Sequence, residues 1–276
     1  GFPYSIPLYR RRGWEIVSDK MNYRLRDDQL PKNISVPGYV RRVEWDHEDL
    51  KRLHSAFASK THGCLFRNAL AWDEYWRWDE DDTSVAIYYN KTHEPTGYMV
   101  YLIKEDIMYI KEMIYLTTEA WKGLRRYISA HESMVNEVRG SSYFSEPTAF
   151  SYEDSDIKEY IRPYIMGRIV DVKNFLKTFR WSPQAKGKLT LVISDPLLEW
   201  NNLRLNLHIK NQTCEFTDEE AGHLAELSIG TLTTWLLGYK KASQLLYFDH
   251  LKTKERTAQF MDTLVTQEKP YISDYI

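Results

Sequence analysis

Between residues 35 and 138 the spacing of apolar residues switches repeatedly between the strand and helix periods, and that succession limits the fold more than any single residue does. Residues 40–43 read as a strand. Asp46 is placed to cap a helix that carries Leu50, Leu53, His54 and Phe57 at i, i+3, i+4 and i+7, so those four share one buried face. Residues 68–78 read as a second helix, and 84–89, 97–103 and 107–116 as strands, the first two joined by a turn rich in Asn, Pro and Gly. Thr117 or Thr118 then caps a helix with Trp121, Leu124 and Ile128 on one face, and 135–138 is a further strand candidate. The order is strand, two helices, three strands, helix, strand.

The flanks differ from this middle. At the front, Pro7 suits the first turn of a helix, residues 8–12 continue it, Gly13 is placed to stop it, and 14–25 forms a long strand candidate. Residues 27–33 have linker composition, and a helix turn with one strand cannot bury a core alone. After residue 165, a short helix at 173–178 precedes strands at 189–193, 203–209 and 213–216, and helices follow at 231–237, 240–248 and 254–265. Strands followed by helices indicate an α+β unit. The expected division is 1–33, 34–164 and 165–276.

Composition removes several function classes. With 37 Lys and Arg against 39 Asp and Glu, no global basic field points to nucleic acid. Apolar runs fall far short of the roughly 20 residues that span a bilayer. The two cysteines, Cys64 and Cys214, form neither a disulfide framework nor a zinc pattern, which favours a cytoplasmic setting and two small buried residues. The eight histidines are scattered, without HExxH, and no GxSxG elbow is present.

Two stretches could still carry chemistry. The run from Trp72 to Asp82 sets carboxylates beside indole and phenol faces, a pattern that can hold an organic cation. An inward-packed helix with a solvated acidic tail explains the same residues and is favoured. At the strand-to-helix junction Tyr115-Leu116-Thr117-Thr118-Glu119 a phosphate cradle would need glycines, because the backbone must approach the anion. The loop has none, and Glu119 would repel a pyrophosphate.

The element order of the middle unit resembles the GNAT acetyltransferase fold, whose acyl-CoA loop lies at that junction and is missing here. A resemblance of larger extent covers the two ends and the last third. Leu8-Tyr9-Arg10-Arg11-Arg12-Gly13-Trp14 resembles the motif that closes the catalytic domain of the Eis-like (enhanced intracellular survival) acetyltransferases. Gly167-Arg168-Ile169-Val170-Asp171-Val172 resembles their entry into a sterol-carrier-protein-2-like domain, and Lys269-Pro270-Tyr271-Ile272-Ser273-Asp274-Tyr275-Ile276 their C-terminal ending.

This resemblance implies a catalytic GNAT domain, a central GNAT-like domain without a CoA loop and an SCP2-like domain. The sequence is then expected to begin inside the first of them, with the acetyl-CoA loop in a part that precedes it. It also implies acetyl transfer to an amine, aminoglycoside or polyamine-like, in a hexameric homo-oligomer. Tyr9 aligns with the family's general acid, and a phenol holds its proton at neutral pH and can pass it to a departing thiolate. Ile276, in place of the usual terminal Phe, aligns with the residue whose free α-carboxylate serves as base. Two other readings stay open: an apolar-ligand module using Leu232, Trp235, Leu236, Leu245 and Leu246, and a non-catalytic fragment that oligomerises.

Overall fold

The computed structural model describes residues 1–79, 82–144 and 147–274. The chain divides into two compact units: Gly1–Ser18 with Pro163–Pro270, and Asp19–Arg162 with the segment from Tyr271. Both are mixed α+β, as expected.

In the second unit the elements follow the anticipated order. Strand β1 (Glu15–Arg26) enters it, followed by β2 (Tyr39–Val43), helix α2 (Glu48–Ala58; α1 is in the other unit), α3 (Ala69–Trp76), β3 (Ser84–Tyr89), β4 (Pro95–Lys104), β5 (Ile107–Tyr115), α4 (Thr118–Ser129), β6 (Glu137–Ser142) and β7 (Lys158–Gly167). The strands form one sheet in the order β2-β3-β4-β5-β6-β1-β7. β2 to β5 pair antiparallel in sequence, β5 and β6 are parallel, and β6 is antiparallel to β1. Alternation along β4 gives Met99 and Tyr101 to a core with Leu124 and Ile128 of α4, while Tyr98 meets His54 of α2.

Local chemistry sets the helix ends. Leu50, Leu53, His54 and Phe57 are all buried, as the spacing requires, but the cap of α2 is His47, whose Nδ1 accepts the Asp49 N–H, and not Asp46. Asn68 caps α3 and Thr117 caps α4. The stretch 27–33, expected as a linker, is a packed turn: Gln29 and Leu30 are buried, and the Gln29 amide donates to Asp154 and to the Asp156 carbonyl.

The first unit contains α1 (Ile6–Arg10), α5 (Val172–Thr178), β8 (Gly187–Ser194), β9 (Leu203–Lys210), β10 (Thr213–Thr217), β11 (Leu224–Ser228), α6 (Ile229–Leu236), α7 (Ala242–Tyr247), β12 (Leu251–Lys252) and α8 (Glu255–Leu264). Its sheet runs β10-β9-β8-β11-β12, with β8 and β11 parallel. Leu189, Leu191 and Leu207 from the sheet meet Leu232, Trp235 and Met261 from the helices in one core.

Candidate functional site

The opening motif folds as its residues dictate. Pro7 lies in the first turn of α1, and Gly13 takes φ 79°, the left-handed conformation that ends a helix at little cost for glycine. Tyr9 is half-buried and meets Trp14 edge-on, with ring centroids 5.6 Å apart, beside Ile6 and against Ile16, Met166 and Tyr239. Its hydroxyl has no hydrogen-bond partner among the described residues. Ile276 lies outside the described residues, and no structure is assigned to it.

The second motif builds a latch in the same unit. Arg168 Nη2 donates to both Asp195 oxygens at 2.7 and 2.6 Å, and its Nη1 donates to the Arg12 carbonyl. Asn201 donates to Asp195 at 2.9 Å, and the Asp171 carboxylate accepts the Asn174 N–H as the cap of α5. Of the residues expected to line an apolar site, Leu232, Trp235 and Leu236 are sealed in the core. A groove of about 270 Å³ lies nearby instead, lined by Ile16, Thr234, Tyr239, Leu245 and Phe248.

The last motif is anchored in the second unit. Arg67, with a side chain 0% exposed, donates through Nη1 and Nη2 to Glu112 at 3.1 and 2.9 Å, and through Nε to Asp274 at 2.6 Å. Tyr98 donates to Glu112 at 2.8 Å and its oxygen lies 3.1 Å from His54 Nδ1, while His54 Nε2 faces the Leu65 carbonyl at 3.0 Å. Burial alone would raise the Glu112 carboxyl, but the Arg67 charge and fork hold it well below the usual range. Burial, with the charge of Arg67, pushes His54 down, so the imidazole is neutral at pH 7.

The acidic–aromatic run proves to serve the chain's own cations. The Arg67 guanidinium lies 3.9 Å from the Tyr75 ring centroid and 4.8 Å from that of Trp72. Lys111 Nζ lies 3.7 Å from the Tyr75 ring centroid and is held by both Asp79 oxygens at 2.8 Å. No external ammonium is needed to explain these faces. Glu80 and Asp81, part of the same run, lie outside the described residues.

The α4 junction was tested against acyl-CoA and does not fit it. β5 and β6 pair only from Ile107–Glu137 to Ile110–Gly140, although both strands run on. On the α4 side of the sheet the space is about 10 Å³, bordered by Tyr23, Arg125, Val138 and Tyr152. Tyr23 is 8% exposed, and a Cβ at Gly140 would overlap its ring, so only glycine lets it in. Arg125 stacks between Trp121 and Tyr152, at 4.4 and 4.2 Å. At the helix start, Thr117 takes the Ala120 N–H and Glu119 accepts from Tyr88 at 2.8 Å. Phosphates placed at this helix start would meet a carboxylate.

A cleft of about 710 Å³ opens where β5 and β6 stop pairing, with Arg24, Lys111, Arg139, Lys158, Tyr109 and Tyr160 in its walls. Lys111 is held by Asp79 and Arg139 by Glu137, so much of its charge is already matched. The thiols are poor nucleophiles: burial pushes Cys64 up to about 12 and raises Cys214. Among the described residues no group of His, Cys, Asp or Glu is arranged for a metal, and no helix is long and apolar enough to cross a membrane.

Comparison with known proteins gives two family matches and several solved structures. The acetyltransferase (GNAT) domain family matches residues 63–169, and the sterol carrier protein domain family matches residues 172–273. A protein of Enterococcus faecalis V583, described as a probable N-acyltransferase, is 26% identical with TM-score 0.91, over 100% of this chain and 71% of that one. A GCN5-related N-acetyltransferase of Anabaena variabilis shares the fold at 20% identity and TM-score 0.85, over 100% and 72%. Eis1 of Mycobacterium abscessus does so at 14% identity and TM-score 0.78, again over 100% and 72%. No curated protein matches the sequence.

Proposed function

We propose, from the premise that this chain is Eis-like and joins a GNAT acetyltransferase domain to a sterol carrier protein domain, that it works in an N-acetyltransferase carrying acetyl from acetyl-CoA directly to an amine. The observation that carries the reading is the likeness to the Enterococcus protein, over the whole of this chain and 71% of that one. A further support is the motif helix α1, which presents a half-buried phenol whose hydroxyl has no hydrogen-bond partner among the described residues.

In this reading residues 1–33 belong to the catalytic part, 34–164 form a GNAT-like middle and 165–276 the sterol-carrier part. Tyr9 is the acid, supplying a proton to the sulfur that leaves as the amine takes the acetyl group. The Ile276 α-carboxylate is the base that accepts the proton of the attacking amine. Acetyl-CoA is held away from the start of α4, where Glu119 sets a carboxylate in the place its phosphates would take. The acceptor is an aminoglycoside or polyamine-like amine, and the working form is a cytoplasmic homo-oligomer, a hexamer by resemblance.

The test is acetyl transfer by the full-length protein. Tyr9→Phe, and separately extension by one residue beyond Ile276, are each expected to lower kcat by about 10²-fold or more, the range of a lost general acid or base. Unchanged rates would remove the assignment.

A further inference from the structure

The arginine at the centre of the second unit holds more than a structural pair requires. Glu112 already neutralises Arg67 through both terminal nitrogens, at 3.1 and 2.9 Å, and the rings of Tyr75 and Trp72 cover its faces. What remains is Nε–H, a buried donor whose loss of a partner would be costly. It is satisfied by Asp274 Oδ1 at 2.6 Å, from a residue 207 positions away. Ser273 adds a weaker contact, its Oγ accepting from Nη2 at 3.4 Å.

The same segment is fixed at a second point. The Tyr271 N–H donates to the His62 carbonyl at 2.8 Å, and the ring, 4% exposed, lies 5.0 Å from Phe57, 4.7 Å from Phe144 and 5.6 Å from Tyr143. An aromatic plug and a charge-assisted bond three residues later hold both ends of a short extended stretch. The stretch 271–274 is thus tied at both ends.

We propose that Arg67 and Asp274 form a tail clamp, with Glu112 setting the arginine's orientation, and that both act as positioning residues that fix the backbone leading to Ile276. The clamp rests on the reading of the Ile276 carboxylate as base. A carboxylate that must meet an ammonium in one geometry cannot sit on a freely moving terminus, because misplacement by about 1 Å costs on the order of 10²-fold in rate. Asp274, two positions before it, is the last described residue of the tail and the one the arginine grips.

Asp274→Asn in the full-length protein separates the possibilities, since it leaves the Arg67–Glu112 fork intact. Hydrogen exchange at the Tyr271 amide is expected to speed up by at least about tenfold, the effect of one lost charge-assisted bond. Acetyl transfer is expected to lose kcat with KM for acetyl-CoA unchanged, and Arg67→Lys to give the same pattern, because an ammonium cannot reproduce the fork. Unaltered exchange overturns the clamp. Faster exchange with unaltered kcat overturns the positioning role while leaving an anchor. If the one-residue extension at Ile276 is also without effect, the failure lies in the base assignment instead.

Discussion

Replacing Glu112 by Gln isolates the electrostatic strength of the buried network, because the side chain keeps its shape while Arg67 loses the charge that faces its fork. The carboxyl is depressed from an ordinary 4.5 to about 2. At ~1.4 kcal/mol per pH unit this corresponds to about 3 kcal/mol of stabilisation at neutral pH. Removing one partner of a buried ion pair costs about 3–5 kcal/mol by an independent route. The low end applies here, since Asp274 still pairs with the arginine. Glu112→Gln should therefore destabilise the second unit by about 3 kcal/mol at pH 7. The measurement is urea unfolding followed through exchange of β4 and β5 amides, which reports that unit specifically. A depressed carboxyl stabilises above its unfolded value and loses that contribution as pH falls toward the folded one. The gap between the two proteins should thus close between about pH 4.5 and pH 2. A loss under about 1 kcal/mol at pH 7, or a gap insensitive to acid, would refute the reasoning.

Two further outcomes follow from the geometry. Gly140→Ala places a methyl group against the Tyr23 ring and should cost about 1–3 kcal/mol as the core is overpacked, read as a lowered unfolding midpoint; an unchanged midpoint would mean that Tyr23 can withdraw freely. Cys64 should alkylate much more slowly than a free thiol at pH 8, with the rate still climbing toward its value of about 12, and rapid labelling at neutral pH would contradict that raised value.

The succession of strands and helices was legible because the helix-period faces of α2 and α4 are set among short continuous apolar runs at β3 and β4 and a period-2 strand at β5. β7 was not anticipated: it is an edge strand, it carries Pro163, and only Tyr164 to Met166 are buried, so it shows no alternation over most of its length. β11, five residues with Glu226 at its centre, is a strand through its parallel pairing with β8, a contact the local sequence does not advertise. The cap of α2 moved one residue because histidine also offers an acceptor.

The site divides in the same way. Tyr9 was reachable through a local motif, whereas Arg67 and Glu112 are ordinary polar residues until the chain folds, 45 positions apart and joined to a tail 207 positions from the arginine. One signal was present: Glu112 falls in phase with Met108, Ile110 and Ile114, an acidic residue on an apolar beat. A bulge there, where Val100 pairs with Glu112 and Tyr101 with Ile110, shifts the phase and re-aims the side chains, so simple alternation could not say which face it served.

The latch at Arg168 bears on how such a sequence can drift. Its guanidinium occupies the space that any side chain at position 13 would need, and it is held there by Asp195 and the Arg12 carbonyl. A larger residue at position 13 would have to displace both the arginine and Ile229 at a φ of 79°, and a displaced arginine leaves Asp195, 0% exposed, without its counter-charge. Positions 13, 168 and 195 therefore form one inherited character written in three places, which should vary together across relatives and resist replacement singly.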